Sequence, residues 1–207
     1  MPFSLLQTLR EIPLAIVDVE TTGASADLGD RVIEIGIARV ECGHIALQYQ
    51  QLLNPQRRIS GGVTALTGIT QEMVNDQPTF KEMLPNILPL MSDAIVVGHN
   101  VRFDLWFLHH EFRRCGLEIT QQLQNPHVLD TVRIARRRFG RGGNGLQRLC
   151  RRLGYEPPIA HRALADAIAT FHVFDKMLDP VGGWGMTLCD AILMQGGPMS
   201  LLPANPR

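Results

Sequence analysis

The chain has 207 residues, of which 45% are hydrophobic, and its 20 Lys and Arg balance its 20 Asp and Glu. A chain of this length suits a single domain and can bury a core without disulfide bonds or a structural metal. The zero formal net charge argues against a protein that coats nucleic acid nonspecifically, because such proteins are usually strongly basic. It leaves room for an enzyme with a basic rim around an acidic site.

Cysteine spacing and hydropathy limit the compartment and the kind of site. Cys42, Cys115, Cys150 and Cys189 are far apart and form no C-x-x-C pair, so neither a zinc site nor a redox pair is expected. Arg10 interrupts the first apolar stretch, and no run reaches the ~18 apolar residues that a membrane span needs. We therefore expect a soluble cytoplasmic protein with no membrane partner.

Three strands are predicted in the first quarter of the chain. Residues 13–20 form an apolar run that ends in carboxylates, which is typical of a buried strand leading into a site. Residues 31–40 and 45–53 are predicted to pair as a β-meander, with Cys42-Gly43-His44 as the turn between them. Residues 54–79 contain several Gly and Pro and are predicted to be mostly loop with short helical pieces.

Helices and short strands alternate after this loop. Short apolar strands are predicted at residues 93–98 and 127–130. The predicted helices cover residues 80–90, 101–115, 131–139, 146–153 and 161–178. Thr79 and Asn100 are the expected N-caps of the first two helices. This order indicates an α/β domain in which a mixed sheet of about five strands is flanked by helices.

The composition changes near the C-terminus. We expect the domain to occupy residues 1–178 and residues 179–207, which are richer in Gly, Pro and Met, to form a tail. One short helix is predicted within the tail, at residues 187–195. Its apolar side chains could fold back on the domain or bind a partner, and both alternatives are open.

Two carboxylates lie at the end of the first predicted strand. Asp18 and Glu20 are two residues apart, so both side chains leave the same face of the strand. Neighbouring carboxylates repel each other, and one takes up a proton unless a cation lies between them. Taken alone, a D-x-E pattern more often marks a strand end that meets solvent or arginine.

Three further residues complete a candidate site. Asp104 lies in the first turn of the helix that follows the fourth strand, and open α/β sheets place their sites at strand ends. His161 and Asp166 are five residues apart, about 140° around a regular helix, so His161 must reach the site from the helix entry. Asp104 could instead complement the helix dipole, and His161 could be a surface or capping residue. The order and separation of all five residues together indicate a site.

Three motifs carry these residues: Ile16-Val-Asp-Val-Glu-Thr-Thr-Gly23, Val97-Gly-His-Asn-Val-Arg-Phe-Asp104 and His161-Arg-Ala-Leu-Ala-Asp166-Ala. With Val32-Ile-Glu-Ile-Gly36 and Leu66-Thr-Gly-Ile69, they resemble the DEDDh-type 3′–5′ exonuclease family. This group includes the proofreading epsilon subunit of bacterial DNA polymerase III and stand-alone relatives. The resemblance covers about Leu14 to Lys176 and implies an RNase H-like fold.

The resemblance also implies catalytic roles. Asp18, Glu20 and Asp166 would hold one divalent cation, and Asp18 would bridge to a second that Asp104 supports. Mg²⁺ or Mn²⁺ is expected, because these ions prefer hard oxygen ligands. Two such ions can stabilise both the attacking and the leaving oxygen of phosphodiester hydrolysis. His161 would be the general base, since histidine can accept a proton near neutral pH.

A second set of residues is implied in binding the terminal nucleotide. Thr21, Thr22 and Gly23 could offer backbone donors to the 3′-hydroxyl, with Glu20 accepting from it. Gly23 would let the chain pass close to the sugar.

Three further side chains are candidates to contact the terminal nucleotide. Asn100 of the second motif is a further candidate. Leu66 and Phe103 could stack on the last base, although ordinary core packing explains them equally well. Two positions depart from the family pattern, because many relatives have an acidic residue within residues 59–63 and a histidine where this chain has Thr67. These departures bear on substrate preference and leave the catalytic set complete.

Eight arginines crowd into one short region: Arg133, Arg136, Arg137, Arg138, Arg141, Arg148, Arg151 and Arg152. Arginine pairs with phosphate through its bidentate fork. Arg136, Arg137 and Arg138 are therefore candidates to guide the substrate strand toward the metals. A solvated helix face or a docking surface for a protein partner are the alternatives.

Two nuclease functions and one binding function remain open. The first is a DNA 3′–5′ exonuclease for proofreading or repair, which releases nucleoside 5′-monophosphates from a single-stranded 3′ end. The second is a 3′–5′ exoribonuclease in RNA maturation, and a contact to the 2′-hydroxyl would separate the two. The third is a noncatalytic accessory subunit of a polymerase, which has no need to keep five catalytic residue types. We expect DNA as the substrate, with a DNA polymerase subunit as a further candidate partner.

Overall fold

The computed structural model describes residues 3–157 and 161–201. A five-stranded sheet with the order β3-β2-β1-β4-β5 lies at its centre. The strands are β1 Leu14–Thr21, β2 Val32–Glu41, β3 His44–Leu52, β4 Ile95–Gly98 and β5 Val128–Asp130. β1, β2 and β3 pair antiparallel, whereas β4 is parallel to both β1 and β5. This mixed sheet confirms the predicted α/β fold.

The hairpin between β2 and β3 turns at two residues. Cys42 and Gly43 have φ values of +52° and +82°. Two consecutive positive φ angles are typical of the two-residue turns that match the twist of a hairpin. β3 therefore begins at His44, one residue earlier than the sequence predicts.

The helices in the described part of the chain are α1 Gly61–Thr67, α2 Gln71–Asn75, α3 Phe80–Met91, α4 Arg102–Arg114, α5 Ile119–Gln122, α6 Thr131–Phe139, α7 Leu146–Arg152, α8 Ala163–Leu178 and α9 Leu188–Met194. Thr79 caps α3 as predicted, in a capping box with Glu82. The predicted cap at Asn100 is wrong, because α4 begins after Val101 and has no side-chain cap. Asn100 instead adopts a left-handed conformation with φ +65°. No helix among residues 3–157 and 161–201 is long and apolar enough to cross a membrane.

The two faces of the sheet are covered by different helices. One face packs against α6, α7, α8 and α9, and its core includes Ile16 of β1. The opposite face packs against α3 and α4, and its core includes Val17. Successive side chains of a strand point to opposite faces. Asp18 and Glu20 therefore continue the row of Ile16 and point toward the α8 side.

The C-terminal segment packs on the domain as far as the structure describes it. Thr187 forms an isolated antiparallel bridge with Thr8, so the segment before α9 pairs with the segment before β1. Leu188 is buried in the core on the α8 side, whereas Met199 and Leu201 are buried on the α4 side. Up to Leu201, the segment thus folds back on the domain, which is one of the two alternatives that the sequence left open. The predicted short helix is present as α9.

Gln195 covers the outer edge of the sheet. Its side chain is 2% exposed. The amide nitrogen donates to Val128 O at 2.9 Å, and the amide oxygen accepts from Asp130 N at 2.8 Å. These two bonds satisfy backbone groups of β5 that an edge strand would otherwise leave unpaired. The C-terminal segment thereby braces the strand that ends beside the candidate site.

Candidate active site

The candidate site lies where β1 meets the beginnings of α4 and α8. Asp18 and Glu20 stand at the end of β1, on the face that α8 covers. Asp104 comes from the first turn of α4 and is 3% exposed. One of its carboxylate oxygens accepts from Val19 N at 3.0 Å. This bond ties the start of α4 to the backbone between the two β1 carboxylates.

His161 and Asp166 reach the site from the entry of α8. The backbone N–H of His161 donates to Asp166 Oδ2 at 3.0 Å, and Gln147 Nε2 donates to Asp166 Oδ1 at 3.1 Å. His161 is exposed and has a left-handed φ of +58°. Because α8 begins only at Ala163, His161 precedes the first turn, as the five-residue spacing predicts.

Three of the predicted side chains meet closely enough to share one ion. The ligand atoms of Glu20, His161 and Asp166 all lie within 4.8 Å of one another. Asp18 and Asp104 stand close enough that their charges affect each other and the rest of the group. The four carboxylates supply the hard oxygen ligands that fit a divalent cation, and the imidazole stands beside them.

The carboxylates of this group are held in a state that favours protonation. Burial, together with the charges of Asp104, Asp166 and Glu20, raises the pKa of Asp18 well above its ordinary value. Burial and the charges of Asp166 and Glu34 raise the pKa of Glu20 to about 7. Burial also raises the pKa of Asp166, although the hydrogen bond from His161 N opposes the shift. A bound cation would stabilise the ionised form of such a group, because it offsets the repulsion among the carboxylates.

Two residues that the sequence reasoning did not select stand behind this group. Glu34 of β2 is 0% exposed, and Arg162 donates to it through Nη2 at 2.6 Å. Glu34 lies opposite Glu20 in the β1–β2 register. A charged residue within the otherwise apolar run of β2, and an arginine directly after His161, were the available signals.

Gly36 of β2 lets α8 approach the sheet. A Cβ atom at this position would lie 2.2 Å from both Ala163 C and Leu164 N. Real Cβ atoms essentially never come this close to a neighbour, so only glycine fits without a shift of the backbone. Because Gly36 lies opposite Asp18 in the register, the close approach brings the start of α8 to the catalytic end of β1.

The segment predicted to bind the terminal nucleotide forms a braced turn. The backbone N–H of Thr22 donates to Arg31 O at 2.8 Å, so this donor is already engaged. Thr21 Oγ1 donates to Gly23 O at 2.6 Å, and Thr22 Oγ1 donates to Asp30 Oδ1 at 3.0 Å. A Cβ at Gly23 would lie 2.3 Å from Asp30 Oδ2. Gly23 therefore accommodates the Asp30 carboxylate that braces the turn.

The structure separates the other predicted substrate contacts. Leu66, at the end of α1, is 59% exposed and is available to a ligand. Phe103 is partly buried and lies 4.9 Å from the Phe107 ring, so it packs at least in part against the α4-side core. Asn100 is exposed at the turn between β4 and α4, and its backbone N–H donates to Asp130 Oδ1 at 3.3 Å.

The three candidate guidance arginines lie on α6 and differ in their contacts. Arg138 Nη1 donates to Met177 O at 2.8 Å, so its guanidinium caps the end of α8. Arg136 and Arg137 are exposed and line a groove of about 610 Å³, together with Arg133 and Arg141. Within the described ranges, none of these five forms an ion pair with a carboxylate.

Arg136 of the groove lies near His99, which directly follows β4. Burial lowers the pKa of His99 to about 4, and the positive charge of Arg136 contributes to this shift. His99 Nδ1 lies 2.8 Å from Thr131 Oγ1, at the beginning of α6. Arg136 thus places one positive charge of the groove near the turn that leads to Asp104.

Sequence comparison places the chain among exonucleases. The exonuclease family model RNase_T matches residues 15–174. A PolC-type DNA polymerase III of Bacillus cereus is 37% identical over 174 residues, which cover 84% of this chain and 12% of the polymerase. The 3′–5′ exonuclease DinG of Bacillus subtilis is 34% identical over 165 residues, which cover 79% of this chain and 17% of DinG. The chain thus spans less than a fifth of the length of these two curated relatives.

Solved structures show the same fold. Exonuclease X in complex with 5′ overhanging duplex DNA is 25% identical, with a TM-score of 0.66 over 88% of this chain and 99% of that chain. The nuclease domain of 3′hExo, a DEDDh family member bound to rAMP, is 18% identical, with a TM-score of 0.70 over 86% of this chain and 96% of that domain. By its sequence, the chain belongs to the exonuclease family whose model matches residues 15–174, and its fold is that of the solved exonucleases.

Proposed function

We propose that this chain removes nucleotides from the 3′ end of DNA and releases nucleoside 5′-monophosphates, in proofreading or repair. The observation that carries this proposal is the convergence of Glu20, His161 and Asp166 within 4.8 Å, beside Asp18 and Asp104. These are the five residue types of the DEDDh group, contributed by β1, by α4, by α8 and by the segment that leads into α8.

The proposed cofactors are two divalent cations, Mg²⁺ or Mn²⁺. Asp18, Glu20 and Asp166 would hold one, and Asp18 together with Asp104 would hold the other. The raised pKa values of these carboxylates support the assignment, because the positive charges nearby do not offset their burial and mutual repulsion. When bound, such cations offset the negative charge of the phosphodiester and stabilise the attacking and leaving oxygens.

The proposed general base is His161. Its exposed imidazole stands beside Glu20 and Asp166, where it can take the proton of a water that attacks the terminal phosphodiester. Asp166 accepts from the His161 backbone N–H at 3.0 Å and so orients the residue without using the imidazole. Glu20 would accept from the 3′-hydroxyl of the terminal nucleotide.

DNA is the proposed substrate because DNA appears in the names of similar proteins. Relatives include a DNA polymerase III, and Exonuclease X was solved with DNA. The bound rAMP of 3′hExo keeps an exoribonuclease as the second candidate. The polymerase relatives also support a DNA polymerase subunit as partner, and hence a cytoplasmic location in a bacterial cell.

The arginine groove is the proposed path of the substrate strand. Arg136 and Arg137 are exposed and form no ion pair with a carboxylate of the described residues, and Arg136 lies near His99 in the β4–α4 turn. Guanidinium groups in this state can pair with successive phosphates. Arg138 is left out of the proposed path, because its Nη1 donates to Met177 O near the end of α8.

The first test is degradation of 5′-labelled single-stranded DNA and of the matching RNA, with Mg²⁺, Mn²⁺ or EDTA. We expect a ladder that shortens from the 3′ end, mononucleotide products, faster loss of DNA, and no activity in EDTA or in Asp18→Ala. A faster loss of RNA would favour the exoribonuclease. No release from either strand with either metal would contradict the proposal.

A further inference from the structure

His161 approaches the carboxylates from a backbone conformation that needs support. Its φ of +58° lies in the left-handed region, which residues other than glycine adopt only when surrounding contacts offset the strain. One contact is the hydrogen bond from His161 N to Asp166 at 3.0 Å. The imidazole itself is exposed, so core packing does not hold it.

A second tether lies one residue further along the chain. Arg162 donates to Glu34 through Nη2 at 2.6 Å, and its Nε lies 3.1 Å from both oxygens of the same carboxylate. Glu34 is completely buried, and it also accepts from Gln50 Nε2 at 2.7 Å. Such a planar, bidentate pair fixes direction as well as distance.

Glu34 also supplies the cap that α8 lacks. Arg162 occupies the N-cap position but makes no side-chain cap. The backbone N–H of Ala163 donates instead to Glu34 Oε2 at 2.9 Å. One buried carboxylate of β2 thus holds two successive residues after His161. Since Glu34 lies opposite Glu20 in the register, the entry of α8 is tied to the strand that carries the catalytic carboxylates.

Stability alone does not account for this arrangement. Replacing a buried ion pair with well-packed apolar residues is often neutral or stabilising. The Arg162–Glu34 pair fixes the orientation of the chain directly after His161, which an apolar pair would not do.

We infer that Glu34 and Arg162 are positioning residues, which hold the His161 imidazole where it can take a proton from the attacking water. This inference rests on the proposed role of His161 as general base. The pair is separate from the five proposed catalytic residues, and it acts through the peptide bond that joins Arg162 to His161.

The test is a double-mutant cycle. Glu34→Gln and Arg162→Lys are each made in the natural sequence and in His161→Ala, and kcat and KM are measured on a single-stranded oligonucleotide at saturating Mn²⁺. We expect kcat to fall about 100-fold for Glu34→Gln and about 10-fold for Arg162→Lys, with KM nearly unchanged. In the His161→Ala background, either change should lower kcat by less than about 2-fold, because the group being positioned is gone.

Controls separate positioning from folding. Calorimetric Mn²⁺ binding should be the same with and without Arg162→Lys, since this change keeps the positive charge near Glu20 and leaves all the carboxylates in place. Arg39→Lys is the matched control, because Arg39 also forms a bidentate pair, with Asp93, outside the site, and it should keep the natural kcat. If Glu34→Gln does not fold, Arg162→Lys carries the test alone, because Arg162 is 30% exposed and keeps its charge.

Three results would overturn the inference. Equal losses of kcat in both backgrounds would mean that the pair does not act through His161. A natural kcat in Arg162→Lys, with Arg39→Lys also unchanged, would mean that the bidentate geometry is not needed. A natural kcat in His161→Ala would remove the base role itself, so failure of the proposed function is distinguishable from failure of the positioning role.

Discussion

Gly36→Ala tests whether the close contact between β2 and α8 sets the geometry of the site. The added Cβ would lie 2.2 Å from Ala163 C and Leu164 N. Ordinary carbon contacts lie at about 3.5–4.0 Å, so the start of α8 must move by roughly 1 Å or more. Such overpacking typically costs about 1–3 kcal/mol of unfolding free energy.

The same displacement should affect catalysis more than stability. His161 and Asp166 both ride on the entry of α8, and a misplacement of about 1 Å can cost roughly 100-fold in rate. We therefore expect Gly36→Ala to lower kcat about 100-fold while the protein remains folded. Steady-state kinetics of the Mn²⁺-loaded protein and denaturant unfolding of the metal-free protein measure the two effects.

Gly185→Ala is the matched control. Its added Cβ would meet no atom within 4 Å, so both kcat and stability should stay close to those of the natural protein. A Gly36→Ala protein with natural kcat and natural stability would refute the reasoning, because the contact would then relax without moving the catalytic residues.

Three further predictions follow from the charges of the site. Asp18→Asn should raise the melting temperature of the metal-free protein, because the change relieves repulsion among buried carboxylates. The same change should abolish both the stabilisation by Mn²⁺ and the activity. A melting temperature in EDTA below that of the natural protein would contradict this prediction. The pKa of Glu20 is raised from 4.5 to about 7 in the folded state. The contribution of Glu20 to stability is therefore fully present below pH ~4.5 and is lost as the pH rises through 7. Denaturant unfolding in EDTA should show lower stability at pH 8 than at pH 5, and Glu20→Gln should reduce this difference. Replacing Arg136 and Arg137 with alanine should raise KM, and it should reduce the slope of log KM against log salt concentration by about 0.7 per lost phosphate contact. Arg138→Ala should instead lower stability and leave this slope unchanged. Equal slopes in all variants would exclude the groove as the substrate path.

The sequence predicts most of the strands and helices, and it predicts the five candidate catalytic residues. The apolar run that ends at Asp18 and Glu20 predicts a buried strand whose two carboxylates share a face, and β1 has that arrangement. The five-residue spacing of His161 and Asp166 places the histidine before the helix, and α8 begins at Ala163. These features depend on backbone periodicity, which residues within a few positions of one another set.

The side chains that hold the five candidate residues in place are apparent only in the folded chain. Glu34 and Arg162 are 128 residues apart in the chain, and no local pattern indicates that they pair. Arg138 resembles its neighbours in sequence but caps α8, and Gln195 seals the edge of β5 from a segment predicted to be a tail. Asn100 was expected to cap α4 and instead turns the chain. Each outcome depends on the order of strands and on which helix covers which face, and these are set by burial of the whole apolar surface rather than by any short stretch of sequence.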